Sequence, residues 1–372
     1  MFQLRPLACL YLLLITAYAD AEGSLLQVPA EYHRRMTVTE VDSDFVCPDT
    51  IEPYISTLSL TSKYLGSDDS KSSINTLAEA EYLQSVETIR AMEKMAASAS
   101  DEFVKGESFK AAQCFLADLS DWADAGAMLN GDVNETGQAV RKWFLAAAGV
   151  AYLKIRSTET SPLTLAGTAN IETWFARLGA KVVEFYSDRS LDKVNNHDYW
   201  AAWAVMVTAI NLQDHDMYQW AISKFKQAAA QIDSDGYLAN ELARENKALI
   251  YHNFALQPLV MVAVFALANG DDIAGSNDDA LARLATRVTA GLQDPQLFAD
   301  ITGVDQDVDS LYSSYSLAWI VPYCKYYDMG WPAALDLESI SKFANSRLGG
   351  DLTWQFDVNL PETPTQENAV LQ

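Results

Sequence analysis

Three stretches hold most of the residues whose types and spacing could do chemistry. The first reads Asn195-Asn196-His197-Asp198-Tyr199-Trp200-Ala201-Ala202-Trp203, two amides and an imidazole at the head of an apolar run. Continued as a helix, it puts Asn196, Trp200 and Trp203 on one face, with His197 one residue off it. Two uses fit that pattern. The polar groups serve binding or proton transfer, or Asn195 caps the helix and His197 is satisfied in the core. The second stretch reads Glu241-Leu242-Ala243-Arg244-Glu245-Asn246-Lys247-Ala248-Leu249-Ile250-Tyr251-His252. Arg244 and Tyr251 are two helical turns apart, and Lys247 lies between them on the same side. A guanidinium, an ammonium and a phenol along one stripe make a carboxylate clamp beside a titratable hydroxyl. The bland alternative is a solvated charged face followed by a packing tyrosine. The third stretch, Ser62-Lys63-Tyr64-Leu65-Gly66-Ser67-Asp68-Asp69-Ser70, says by itself only that a polar surface loop is present.

Such groups need a frame, and the frame reads as helical. The chain has 372 residues, 49% of them hydrophobic, which is ample for a large core and excludes wholesale disorder. Ala111, Cys114, Phe115, Leu119, Trp122 and Ala123 recur at helical spacing, as do Val140, Trp143, Phe144, Ala147, Val150 and Leu153. Further apolar faces span 170–186, 198–212, 215–231, 247–269, 278–292, 312–329 and 335–347. Asn130-Gly131-Asp132, Asp233-Ser234-Asp235-Gly236 and Asn269-Gly270-Asp271-Asp272 punctuate them. No alternating run is long enough for a sheet. Successive helical hairpins stacked into a bundle or ring are therefore expected, forming one domain over 22–350 with a disordered tail over 351–372.

Arg5, the apolar run from Leu7 to Ala17 and the small residues around Ala19 and Ala21 read as a cleaved export signal over 1–21. The mature chain is then expected in the periplasm or secreted, without a membrane span. Cys47, Cys114 and Cys324 remain. The expected disulfide joins Cys47, in a loop-like segment, to Cys114 on a helix, tying the N-terminal strap to the body. No Cys-x-x-Cys or His-x-x-x-His spacing points to zinc. With 26 Lys and Arg against 50 Asp and Glu, the net charge is −24, the wrong sign for a nucleic-acid coat. A polyanionic ligand would need a local basic cleft cut into an acidic body.

Taken together, the stretches resemble the alginate lyases that act on polymannuronate. The resemblance runs through Lys63-Tyr64-x-Gly66-Ser67-Asp68, Arg141-Lys142-Trp143, the 195–203 segment, Arg244-x-x-Lys247-Ala248-Leu249-x-Tyr251-His252 and Trp319-x-x-Pro322-Tyr323-Cys324, in family order. It covers roughly residues 45–350. It implies an all-α, incomplete (α/α) toroid and an anionic uronate polysaccharide as partner, with no cofactor and no metal. The enzyme would be a monomer. It puts Asn196, His197, Arg244 and Tyr251 at the family's catalytic positions. Lys63 and Tyr64 fall on a lid loop, and Trp143 on a sugar-lining face. Trp200, Trp203, Trp319 and Tyr323 could stack on sugar rings, although core packing is the simpler use. Glu245 departs from the small or basic residue the family carries after the clamp arginine.

Uronate polymers are cleaved without water when the C5 proton leaves and the C4–O4 bond then breaks. The neighbouring carboxylate must accept more charge, so Arg244, with Asn196 and His197, would stabilise the enolate-like transition state there. Tyr251 titrates ordinarily near ~10, and the cations Arg244 and Lys247 are expected to favour its phenolate. In mannuronate, H5 and O4 lie on one side of the ring, so a single group can take the proton and return it. Tyr251 suits both steps, with His197 supporting the carboxylate or holding Tyr251 ionised; the reverse assignment has His197 as base and Tyr251 as acid. Glucuronate shares the C4 and C5 configuration, so a glucuronan lyase is the nearest alternative. A non-catalytic polyuronate-binding protein would lack one of the four groups. A glycosidase would need two carboxylates across the scissile bond.

Overall fold

Side-chain caps start several of the helices. Asn75, Ser108, Asn134, Asn195 and Asp214 each accept a backbone N–H from the first turn that follows. In a computed structural model of the chain, residues 24–33, 45–158, 165–327, 332, 335 and 340–360 are described. The helices are α1 (Thr76–Ser85), α2 (Glu87–Val104), α3 (Phe109–Asp124), α4 (Glu135–Arg156), α5 (Leu165–Ser187), α6 (Asn196–Leu212) and α7 (His215–Gln231), followed by α8 (Ala239–Leu242), α9 (Ala248–Ala268), α10 (Ser276–Gln293), α11 (Gln296–Thr302), α12 (Ile320–Tyr326) and α13 (Leu352–Gln355).

Four hairpins make the ring. Helices α2, α4, α6 and α9 pack side by side as an inner row, and α3, α5, α7 and α10 lie outside them, each against its hairpin partner. This is the (α/α) toroid. Inner helices run parallel: Lys142 of α4 meets His197 near the start of α6, while Asn211 near its end bonds the Gly149 carbonyl of α4 at 2.9 Å. Their N-terminal halves therefore share one rim.

Burial explains the two inner helices that read as apolar all round. In α6 every residue from Asn196 to Asn211 except His197 is buried. Helix α9 carries no Asp, Glu, Lys or Arg and is long and apolar enough to cross a membrane, yet 83% of its apolar window is buried inside the protein. It is the core helix that the expectation of no membrane-length stretch overlooked. Pro258 inside it cannot donate to the Phe254 carbonyl. Trp200 of α6 takes up that freed oxygen through Nε1 at 3.1 Å, pinning the two inner helices together.

Several expectations fail for local reasons. Helix α2 was hidden because its buried face includes Glu93 and Ser100 among Met and Ala. The expected helix over 312–329 shrinks to α12. Over 335–347 the described residues form no α-helix. Instead strand β1 (Ala344–Asn345) pairs antiparallel with β2 (Gly350–Asp351) around a 3-10 turn at Ser346–Leu348. Gly349 and Gly350 sit at φ +116° and +87°, where a helix cannot continue, and a Cβ on Gly350 would lie 2.4 Å from Asp101 Oδ2.

The tail expected from 351 is also corrected as far as Leu360. Leu352 and Phe356 are fully buried, Asp351 pairs with Lys105 at 2.8 Å, and its N–H bonds Asp101 at 2.9 Å. Residues 361–372 and the expected signal over 1–21 lie outside the described residues.

Cys47 and Cys114 are joined, with Cα atoms 5.7 Å apart, and Cys324 is free. The bridge closes a loop with a sequence separation of 67 residues. Cys47→Ser should lower unfolding free energy by about 2–4 kcal/mol, measured by denaturant titration, because the open chain regains loop entropy. A loss under about 0.5 kcal/mol would show that the strap is held without the bridge.

Candidate functional site

The parallel inner helices deliver side chains to the rim, and the turn between α8 and α9 supplies the rest. Asn195 caps α6 by accepting from His197 N–H at 3.0 Å, and Asp198 returns the bond to Asn195 N–H at 3.2 Å. The cap half of the bland alternative is thus real. The core-histidine half applies to His252 instead. That ring is wholly buried, with Nδ1 2.7 Å from the Ala248 carbonyl and Nε2 accepting from Leu238 N–H at 2.9 Å. Burial pushes its pKa down to about 4. His197 is only half-buried, and its ring lies 5.5 Å from that of Trp143.

Arg244 and Tyr251 do converge, but not along one helix. Arg244 lies in a turn after α8, and Glu245 beside it adopts φ +53°. The helix restarts only at Ala248. This left-handed break swings the guanidinium over the Tyr251 ring, with Cζ 4.7 Å from its centroid. Arg244 is further held by Glu241 at 3.8 Å and by the Ser70 carbonyl at 3.3 Å. Lys247 is turned toward the loop: its Nζ lies 5.9 Å from the Tyr64 ring centroid.

The 62–75 loop is an ordered hairpin docked on these groups. Asp68 accepts from the N–H groups of Ser70, Ser72 and Ser73, at 3.0, 2.9 and 2.6 Å. The Ser70 hydroxyl bonds it too, and together these hold its carboxyl well below the usual range. Tyr64 bonds hydroxyl to hydroxyl with Tyr251, and Ser72 donates to Glu245 Oε2 at 3.4 Å. The odd acid beside the clamp is therefore a lid contact. Lys63 Nζ lies 4.0 Å from Glu79 and 5.4 Å from the Tyr64 ring centroid.

The geometry corrects two expected roles. Asn196 is fully buried, and its Nδ2 is directed at both oxygens of Glu241, each at 3.1 Å; its backbone N–H adds a third bond at 2.6 Å. Its amide donors are thus occupied by a buried carboxylate, and Oδ1 is the atom left without a partner. Tyr251 is not biased toward phenolate. Burial, reinforced by Tyr64, raises its pKa well above the ordinary value, outweighing the lowering by Arg244. Trp200, Trp203 and Trp319 are fully buried and Tyr323 nearly so. Their use is core packing, not sugar stacking.

Two neighbours of the site were given no role in the sequence reading. Lys142, fully buried, places Nζ 2.9 Å from His197 Nδ1 and 4.4 Å from the Trp143 ring centroid. Arg347, from the turn between β1 and β2, sets Cζ 4.4 Å from the same centroid and Nε 3.1 Å from Glu93. Nothing at the level of spacing ties position 347 to Trp143. Lys142, by contrast, stands in the Arg141-Lys142-Trp143 motif, next to the residue that was given the sugar-lining face. Arg347, Lys63, Lys247 and Arg244 together bring positive charge to the surroundings of Trp143, Tyr64 and Tyr251. A cavity of about 410 Å³ lined by Gln138, Arg141, Lys181 and Glu184 is separate, and its Arg141 is already engaged by Met128 O, Asn130 O and Gln138. Among the described residues no three His, Cys, Asp or Glu side chains cluster as metal ligands.

Comparison with known proteins agrees with this arrangement. The family model described as alginate lyase matches residues 59–298. An alginate lyase of Azotobacter vinelandii is 38% identical over 355 residues, 94% of either chain. One of Pseudomonas paraeruginosa is 42% identical over 313 residues, covering 83% of this chain and 85% of its own. Among solved structures, alginate lyase A1-III of Sphingomonas species A1 superposes with a TM-score of 0.74 over 86% of this chain and 88% of its own, at 21% identity. A variant of A1-III complexed with a tetrasaccharide gives 0.76 with the same coverage and identity. At that identity the likeness speaks for the toroid alone.

Proposed function

The chain belongs to the alginate lyase family, and we propose that it cleaves the mannuronate blocks of alginate by syn β-elimination, leaving 4,5-unsaturated uronate ends. The observation that carries this is the Arg244 guanidinium lying over the Tyr251 ring under a lid tyrosine. A fixed positive charge beside a proton-transfer group is what elimination next to a carboxylate requires. Arg244 holds the C6 carboxylate, with the half-buried His197 ring as second donor. In its deprotonated form the Tyr251 oxygen takes the C5 proton and returns it to O4, so the proton count closes within one residue and the phenolate is restored. Asn196 acts through Glu241, which it shares with Arg244, rather than by donating to the sugar. Trp143, with the Arg347 guanidinium over its ring, lines the sugar path. Tyr64 must yield the Tyr251 hydroxyl before substrate can meet it, so lid opening precedes chemistry. The disulfide and the expected signal support action outside the cytoplasm.

A panel of mannuronan, guluronan and glucuronan tests this, read by the ultraviolet absorbance of the conjugated product. Mannuronan should give the fastest rise and guluronan little, because its H5 and O4 lie on opposite faces. Equal rates on mannuronan and guluronan would sink the syn assignment. Equal rates on mannuronan and glucuronan would shift the substrate class while leaving the chemistry in place.

A further inference from the structure

One contact at the rim involves a buried lysine with no ion pair. Lys142 is fully buried, and among the described residues no carboxylate lies within salt-bridge distance of its Nζ. Burying an ammonium without a counter-ion is costly, so the side chain is expected to have a use. Its surroundings are the Ala139 carbonyl at 3.4 Å, the ring centroids of Trp143 and Tyr186 at 4.4 and 5.3 Å, and His197 Nδ1 at 2.9 Å.

We infer that Lys142 is a positioning residue, which donates from Nζ to Nδ1 of His197 and fixes the imidazole as the neutral tautomer with its hydrogen on Nε2. An ammonium has only donors and a neutral amine keeps two N–H bonds, so in either form Lys142 can donate and Nδ1 is the acceptor. Burial, Arg347 and Arg189 push Lys142 toward the neutral amine, with Asp198 opposing. The amine still carries N–H bonds, and the flanking ring faces and carbonyl favour it as donor. His197 Nε2 has no partner among the described residues, so its N–H is free for the uronate carboxylate.

This inference rests on the lyase reading above and deepens it. A ring whose Nδ1 is held by Lys142 and whose Nε2 carries hydrogen has no lone pair to offer C5–H. It can support the carboxylate but cannot be the base, so Tyr251 remains. The imidazolium is disfavoured as well. Burial comes first, and Lys142 from α4, Arg244 from the turn after α8 and Arg189 ahead of α6 all lower its pKa. Arg347 lies beside Lys142, and the acids nearby, Asp198 and Glu241, are committed to Asn195 and Asn196.

Nitrogen-15 spectra of the full chain labelled in histidine decide the point, with His197→Gln assigning the signal. The wild type should show a pyridine-like Nδ1 and a pyrrole-like Nε2 from about pH 6 to 9. Lys142→Met should mix the tautomers, bring imidazolium in at higher pH and lower kcat at least about tenfold with little change in KM. A protonated Nδ1 in the wild type, or a Lys142→Met enzyme with unchanged kcat and pH profile, overturns the inference. Should that variant not fold, the wild-type spectrum alone decides. The tautomer is read without turnover, so failure of the lyase chemistry is seen separately, in Tyr251→Phe.

Discussion

Tyr251→Phe should lose about 10²–10⁴-fold in kcat while KM stays near the wild-type value, because general acid–base groups contribute that much to the chemical step. The substitution deletes one oxygen. The ring under Arg244 remains, and so does the α9 packing around it. What disappears is the atom that meets C5–H and its bond to Tyr64. Retention of more than about a tenth of wild-type turnover would remove Tyr251 from the mechanism. The pH profile gives the same answer independently. Burial and Tyr64 hold the Tyr251 hydroxyl protonated well above its ordinary range in the free enzyme. A base must be deprotonated, and below its pKa the deprotonated fraction grows tenfold per pH unit. Wild-type kcat/KM should therefore still be climbing between about pH 7 and 9, since that ratio reports free-enzyme groups. The residual activity of Tyr251→Phe should lack that rise.

Helix caps and apolar periodicity were local enough to read. Asn195 ahead of an apolar run gave the start of α6, and the 198–212 and 215–231 faces correspond to α6 and α7. Arg244 and Tyr251 were matched by a helical spacing that the chain does not follow. They meet because Glu245 breaks the helix and the guanidinium folds back over the ring, which a periodicity argument cannot see. Tyr251 was expected to be acidified by Arg244 and Lys247. That argument counted charges along one segment and missed the lid: Tyr64 lies 187 residues away in sequence, and Lys247 faces it instead. The role given to Asn196 erred similarly, because Glu241 sits on another element and takes up its donors.

Local positive charge reconciles an acidic chain with an anionic ligand. A net charge of −24 repels a polyuronate at long range, and screening limits that repulsion to about 8 Å at physiological salt. Within that distance the substrate meets cations whose own partners are few. Glu241 serves Arg244, Glu93 serves Arg347, and Glu79 reaches Lys63 only at 4.0 Å. Three distant parts of the chain thus contribute positive charge around Trp143, Tyr64 and Tyr251. The family resemblance read from sequence named the clamp arginine but left out Arg347.

Arg244→Met should cost about 10²–10³ in kcat, the loss seen when one donor to a developing oxyanion is removed. It should raise KM as well, because the guanidinium also binds the ground-state carboxylate. A complication comes from Glu241, which is fully buried and accepts from Asn196. Without Arg244 its carboxylate loses a compensating charge, and breaking a buried pair costs about 3–5 kcal/mol of stability. Burial already raises its pKa, with Arg244 the first opposing influence, so the variant's Glu241 should take up a proton more readily. Stability and turnover must therefore be measured together. The double variant Arg244→Met with Glu241→Gln keeps one accepting oxygen for the Asn196 N–H groups, without the orphaned charge, and should regain part of the lost stability. It should not regain turnover. If the double variant recovered kcat as well, Arg244 would be holding Glu241 in place rather than stabilising the charge at C6, and the carboxylate clamp would have to be sought in Arg347 or Lys247.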